Sequence, residues 1–220
     1  MKHITLLHTV PSVYNSYPQL LKKAFEPEEI EVTSILDEFL VTNAKKKGFF
    51  PPENKRKLFL DLLSAQEENP DIIIVTCSSL TPFVGDLMDT FTTPIVRIDT
   101  NMCKTAAMVG KKIAVLATAP TTVEPTVSLV KSFALENNKT IEIEAFLNEE
   151  AMDELKLGHV DKHDEILGKL AEEKCQDFDV VILAQASMAT ANAAVQKAVP
   201  NSTVLTSPGS SIEEAKEKLQ

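Results

Sequence analysis

The chain repeats itself once, and nothing else in the sequence constrains its fold as tightly. "KHITLLHTVPS" (Lys2 to Ser12) lies over "KKIAVLATAPT" (Lys111 to Thr121), and "IEVTSILDE" (Ile30 to Glu38) lies over "IEIEAFLNE" (Ile141 to Glu149). "DIIIVTCSS" (Asp71 to Ser79) lies over "DVVILAQAS" (Asp179 to Ser187). More weakly, "PIVRIDT" from Pro94 lies over "STVLTSP" from Ser202. The four pairs keep their order and a nearly constant separation, close to half of the 220-residue chain. Two copies of one structural unit account for that pattern.

Within each copy, short apolar and β-branched runs alternate with stretches of helical spacing. Leu20, Leu21, Ala24 and Phe25 follow the first run; Leu58, Leu60, Leu62 and Leu63 precede the third; Ile166, Leu167, Leu170 and Ala171 hold the same place in the second copy. Strand-helix alternation with continuous apolar strands predicts parallel sheets covered on both faces. "NPD" at Asn69 to Asp71 and "QDFD" at Gln176 to Asp179 read as loops into the third strand of each copy. The terminal "SPGSSIEEAKEKLQ" reads as a capped amphipathic helix. The expected fold class is α/β: two similar doubly wound parallel-sheet domains related by a pseudo-two-fold, with an active site in the cleft between them. The expected boundaries are 1–99 plus 208–220 for the first domain and 100–207 for the second.

Composition removes several function classes. The formal charge of −10 argues against binding a nucleic-acid backbone. No apolar run approaches the ~20 residues that span a bilayer, so no membrane partner is expected. The start lacks the apolar core of a secretory signal, and three cysteines make no disulfide framework, which together predict a cytoplasmic protein. No Cys-x-x-Cys or His-x-x-x-His spacing is expected to mark zinc, and no metal is expected.

Ligands of open parallel sheets bind beyond the carboxyl ends of the strands. The repeat matches residues there: Thr9 with Thr118, Ser12 with Thr121, Cys77 with Gln185, and Ser79 with Ser187. After Cys77 the chain is predicted to enter a helix, whose first amides and dipole would suit an anion and raise the thiolate fraction of the thiol. Packing as a small apolar residue is the other reading of Cys77.

"VTCSS" after an apolar strand, paired with "ILAQASM" in the second copy, resembles the aspartate/glutamate/hydantoin racemase superfamily, over nearly the whole chain and including "LGHVDKHDEI". The resemblance implies two domains facing across a cleft, no cofactor, and two cysteines flanking the α-carbon of a small carboxylate. One cysteine removes the α-proton and the other returns a proton from the opposite face. Cys77 matches the first cysteine; the second falls on Gln185, which has no useful acid or base. His8 is then the candidate for the missing proton donor, since an ordinary imidazole titrates near neutrality. Gln185 either orients substrate or hydrogen-bonds a neighbouring loop. Ser78, Ser79, Thr118, Thr121, Ser187 and Ser12 are the candidates for holding the carboxylate. The implied activity is racemase- or isomerase-like. A single-cysteine decarboxylase or lyase and a non-catalytic binder of small acids are the alternatives. The resemblance also implies a homodimer.

Other residues read as follows. Thr122 and Tyr14 share the matched loops, as cleft residues or helix caps. His163 is either a family histidine or a solvent-facing helix residue. Asp37 reads as a cap for the next helix, with Glu38 beside it. Cys103 and Cys175 are assigned to packing or surface. "NAKKKGFFPPENKRK" reads as a solvated basic loop, a lid or a locally packed turn.

Overall fold

The computed structural model describes residues 1–220. In chain order the elements are β1 (Lys2–His8), α1 (Pro11–Phe25), β2 (Ile30–Leu36), α2 (Phe39–Lys47), α3 (Pro52–Glu67), β3 (Ile72–Val75), α4 (Thr81–Gly85), β4 (Ile95–Arg97) and α5 (Thr100–Val109). They continue as β5 (Lys112–Ala117), α6 (Pro120–Glu136), β6 (Glu142–Leu147), α7 (Glu149–Lys156), α8 (Val160–Lys174), β7 (Val180–Leu183), α9 (Asn192–Ala198), β8 (Thr203–Thr206) and α10 (Ser207–Lys218). Two compact units result: Met1–Ile98 with Ser211–Gln220, and Asp99–Ser210.

Each unit holds a four-stranded parallel sheet, in the orders β2-β1-β3-β4 and β6-β5-β7-β8. The two orders are the same arrangement, as the repeat demands, and every strand of one sheet comes from a stretch matched to a strand of the other. The central strands β1, β3, β5 and β7 are almost wholly buried, so their sequences lack the alternation of a one-sided strand.

Side chains of one strand still divide by face. In the second unit, Ile113, Val115, Val180 and Ile182 pack with Met102, Ala106 and Val130 of α5 and α6. Ala114, Leu116, Val181 and Leu183 face Ala151, Leu167, Ala171 and Val195 of α7, α8 and α9. In the first unit, Leu7, Ile73 and Val75 pack with Leu40, Leu58 and Leu62 of α2 and α3. The expected helix stripes shift slightly. Leu21, Phe25, Leu58 and Leu62 are buried, while Leu20 and Leu60 face solvent.

The carboxylate that opens the third strand has the same task in each copy. Asp71 Oδ2 accepts from His3 N at 2.7 Å, and Asp179 Oδ2 accepts from Lys111 N and Lys112 N at 2.8 and 2.9 Å. Those donors lie at the start of the central strand, just before its pairing with β3 or β7 begins at Ile4 and Ile113. The backbone bonds from Lys112 and then Lys111 hold the Asp179 carboxyl below its ordinary value.

The terminal helix belongs partly to the first unit. Ser211 Oγ meets the buried Tyr17 hydroxyl at 2.8 Å, and Lys216 sits 5.7 Å from the Phe25 ring centre. The basic segment expected as a loop is instead mostly helix. α2 runs to Lys47, Gly48 ends it at φ +77, and α3 begins at Pro52. Phe50 stacks on Phe83 at 4.0 Å, so this aromatic packs locally.

Gly110, between α5 and β5, makes a sharp packing prediction. A Cβ there would lie 2.8 Å from Ile113 Cγ1, 2.9 Å from Val180 Cγ2 and 3.1 Å from the Ala106 carbonyl. Its φ of −89° is open to any residue, so the constraint is space alone. Gly110→Ala is expected to lower stability by about 1–3 kcal/mol, read from urea unfolding.

Candidate active site

In the first unit the candidate residues gather at the carboxyl ends of β1 and β3. His8 ends β1; Thr76 and Cys77 follow β3. The ladder holds them together, since Thr76 N donates to the Leu7 carbonyl at 3.0 Å and Asp37 N donates to the His8 carbonyl at 2.9 Å. Cys77 is 9% exposed and borders the cluster of Leu7, Leu40, Leu80 and Val84. The helix expected after it is cut short. Ser78–Leu80 form a single 3-10 turn, and α4 is only five residues long. Pro82 has no N–H to donate to the Ser78 carbonyl four residues back, so that one α-helical bond is missing between the turn and α4. The dipole expected to activate Cys77 is correspondingly small. Ser78 is buried on this turn and Ser79 is half-buried.

His8 is fully buried, with Nδ1 2.7 Å from Thr76 Oγ1. Thr76 Oγ1 also lies 3.2 Å from the Leu7 carbonyl. A carbonyl can only accept, so the hydroxyl proton goes to Leu7 and His8 Nδ1–H donates to Oγ1. That tautomer leaves Nε2 as a lone pair, buried and without a partner. Tyr14 and Tyr17 stand edge-on to the ring, at 5.4 and 6.4 Å between centroids. Burial lowers the His8 pKa to about 4. The expectation that His8 titrates near neutrality therefore gives way: at pH 7 the ring is neutral, its one N–H is held by Thr76, and it is not an imidazolium acid.

In the second unit Gln185 takes the place of Cys77, directly after β7 and Ala184. Its Oε1 accepts from Thr118 N at 2.7 Å, Thr118 Oγ1 at 3.0 Å and Ala119 N at 3.1 Å. Two of these donors are backbone N–H groups, which fixes the amide with oxygen toward the loop and nitrogen away. The loop-binding reading of Gln185 is what the side chain does. Thr118 is 1% exposed, and this contact commits both its hydroxyl and its amide, so it is not available to a carboxylate as expected. Ser187 is half-buried on the 3-10 segment Ala186–Ala191.

Ser12 and Thr121 are exposed residues at the second position of α1 and α6, after Pro11 and Pro120. Neither helix has a capping side chain or an acidic residue in its first turn. The structure thus brings His8, Thr76 and Cys77 together in one unit, and Gln185 and Thr118 in the other.

A sequence model of the Asp/Glu/Hydantoin racemase family matches residues 44–213, most of the chain. The chain belongs to this family. No curated protein matches it. Among solved structures, it resembles glutamate racemase from Thermus thermophilus at 15% identity and a TM-score of 0.73, covering 99% of this chain and 80% of that one. An aspartate racemase homologue from Pyrococcus horikoshii gives 18% identity and a TM-score of 0.72, with 100% of both chains covered. Allantoin racemase from Klebsiella pneumoniae gives 12% and 0.67, covering 100% of this chain and 88% of that one. At these identities the likeness establishes the fold, and the family match makes the chain an enzyme of racemase type.

Several residues of this racemase-family enzyme stand otherwise than expected. His163 is fully buried, not solvent-facing. Its Nδ1 meets Asp164 Oδ1 at 2.7 Å, and the same oxygen accepts from Thr190 Oγ1 at 2.8 Å, tying α8 to the segment after Gln185. Contrary to the expectation that no such spacing stands out, His159 and His163 form a His-x-x-x-His pair in the sequence. His159 precedes α8 and meets Glu154 instead, at 2.7 Å, and no three potential ligands converge on a metal site anywhere. Cys103 and Cys175 are both core residues, and burial pushes the Cys175 thiol up to about 11. No helix is long and apolar enough to cross a membrane.

Asp37 does cap, accepting from Phe39 N at 2.9 Å. It also pairs with Lys57 at 2.6 Å, and Lys57 reaches Asp61 at 3.4 Å. Burial alone would raise the Asp37 carboxyl, but its hydrogen bonds with Lys57 and Asp61 outweigh that and hold it low. Asp61 goes the other way, to about 6, through burial first and then the hydrogen bond and charge of Asp37.

A carboxyl raised by folding contributes stability that is full below its unfolded pKa of 3.8 and is lost as pH rises through about 6. Asp61→Asn is therefore expected to stabilise the enzyme by about 1–2 kcal/mol at pH 8 and by almost nothing at pH 4. Urea midpoints at the two pH values check it.

Proposed function

We propose that this chain is a cofactor-independent enzyme of the Asp/Glu racemase type that uses one thiol, Cys77, at or next to the α-carbon of a small carboxylate. The observation that carries the reading is positional. Cys77 stands two residues past the end of β3, as Gln185 stands two residues past the end of β7, and β3 and β7 are equivalent central strands of equivalent sheets. A thiol at a strand end, beside the loop that follows the first strand, lies where open sheets bind ligands.

As thiolate, Cys77 takes the α-proton, leaving a carbanion stabilised by delocalisation into the adjacent carbonyl; alternatively it adds to an activated carbon and leaves when the substrate has rearranged. Gln185 can neither give nor take that proton. Neutral His8 is not an imidazolium acid at pH 7, and its one N–H is held by Thr76. The pair supports one-sided chemistry: isomerisation through an adduct, or carbon dioxide loss with protonation from a single face, in preference to a two-thiol racemisation.

The test is proton NMR in deuterium oxide over a panel of small 2-amino, 2-hydroxy and dicarboxylic acids. Cys77-dependent exchange or conversion of a substrate, abolished by iodoacetamide, supports the proposal. Turnover that survives complete alkylation of Cys77 overturns it.

A further inference from the structure

Helix α3 carries apolar side chains on the side that faces away from its core. An α-helix turns about 100° per residue. The buried residues Asn54, Leu58, Leu62 and Ala65 therefore mark one face, and Arg56, Leu60, Leu63 and Glu67 fall on the opposite one. Leu60 is 59% exposed and the adjoining Phe59 38%. Lys55, Arg56, Phe59, Leu60 and Leu87 line an open groove of about 410 Å³ on this side. The charges that end the stripe are unpaired. Lys57 takes Asp37 and Asp61, whereas no ion pair joins Arg56 or Glu67 to another charge of the chain.

The repeat supplies a control. Asn54, Leu58 and Leu62 of α3 correspond to His163, Leu167 and Ala171 of α8, all fully buried. In that register Leu60 lies over Lys169, Leu63 over Glu172 and Arg56 over Glu165. The twin helix is charged along its outer face. Its Lys169 Nζ closes on Glu165 Oε1 at 2.5 Å, an ordinary i,i+4 pair of a solvated helix. The fold does not need leucines there, since the matched helix of the second unit does without them. A single exposed leucine needs no explanation, but a contiguous apolar stripe between unpaired charges marks a contact surface.

We propose that this face of α3 is the interface of a homodimer, in which two copies of the helix pack antiparallel about a two-fold axis. The charge order selects the occupant. Along the chain the stripe reads basic, apolar, apolar, acidic, so it complements itself only when a second copy runs the opposite way. With the two-fold between Asp61 and Leu62, Arg56 comes level with Glu67 of the second copy, and Leu60 with its Leu63. The symmetry makes every such contact twice. A parallel pairing would instead set like charges side by side. Phe59 and the groove beside it then lie on the flank of the helix contact and lose their exposure to water. Nothing in this pairing depends on the chemistry of Cys77, so it stands apart from the one-thiol reading.

The experiment is sedimentation equilibrium of the full chain over a concentration series reaching about 100 μM, a range that captures a contact of micromolar affinity. The native chain is expected to be a dimer. Leu60→Lys gives α3 the residue that α8 already carries. It should weaken dimerisation at least about a hundredfold and leave the far-ultraviolet circular dichroism unchanged, because the side chain is exposed. Arg56→Glu and Glu67→Arg should each weaken it about tenfold, since each sets two pairs of like charges together. An equimolar mixture of those two variants should dimerise again. One chain of the mixed pair then carries acid at both ends of the stripe, and the other carries base at both. A substitution that merely damaged α3 would not be rescued in this way. A monomer throughout the series, a dimer untouched by Leu60→Lys, or charge reversals that the mixture fails to restore overturns the proposal.

Discussion

Replacing Cys77 by serine is expected to slow substrate turnover by at least about a thousandfold, because the change removes the only thiolate the proposed chemistry can use. A thiol is far more readily ionised near pH 7 than a serine hydroxyl, so the serine is much the weaker nucleophile and base. His8 does not rescue the variant as a proton acid, since burial keeps its ring neutral at pH 7. Folding changes little by comparison: Cys77 lies at the margin of its apolar cluster and keeps 9% of its surface exposed, so the serine costs about 1 kcal/mol. Cys103→Ala and Cys175→Ala are the controls. Both thiols are fully buried in the second unit's cores, so these variants lose stability and retain turnover per folded molecule. Exchange rates per mole of folded protein, with the folded fraction from near-ultraviolet circular dichroism, separate the two effects. Equal loss of turnover from all three would point to damaged folding and away from a thiol at the reaction centre.

The repeat made the strands legible because a central parallel strand has one demand, burial on both faces, and only runs such as Ile72 to Val75 and Val180 to Leu183 meet it. Matching the copies then placed Cys77 opposite Gln185 in the alignment without any structural knowledge. What sequence could not carry was the partner of each polar group. Gln185 reads equally well as a ligand to substrate or to a loop, and only the three distances to Thr118 and Ala119 decide it. His8 reads as a neutral-range titrant until its complete burial is known. Pro82 was in plain view, and its missing N–H could have warned that no continuous helix follows Cys77. The 3-10 geometry of Ala186–Ala191 has no such proline, and nothing in the structure explains it.

Gln185 offers the second large effect, and the sign of its pH dependence tests the geometry directly. Gln185→Leu keeps the bulk but removes the acceptor, leaving two backbone N–H groups and a hydroxyl around the 1%-exposed Thr118 without their oxygen. Each stranded donor costs about 1–3 kcal/mol, with water entry recovering part, so the variant is expected to lose about 3 kcal/mol. Gln185→Glu keeps an oxygen in the same place and adds charge. Its carboxylate would accept the same three donors, at the start of the 17-residue helix α6, which holds its pKa below the ordinary glutamate value. A carboxyl depressed by folding contributes stability above its unfolded pKa and loses it as pH falls through the folded one. The glutamate variant should therefore match or exceed the native chain in urea at pH 7 and fall toward the leucine variant below about pH 4. The native glutamine, which does not titrate, should show no such difference. If leucine and glutamate are tolerated equally at pH 7, the three bonds carry no net stability, and the loop before α6 is held by its proline and its backbone alone.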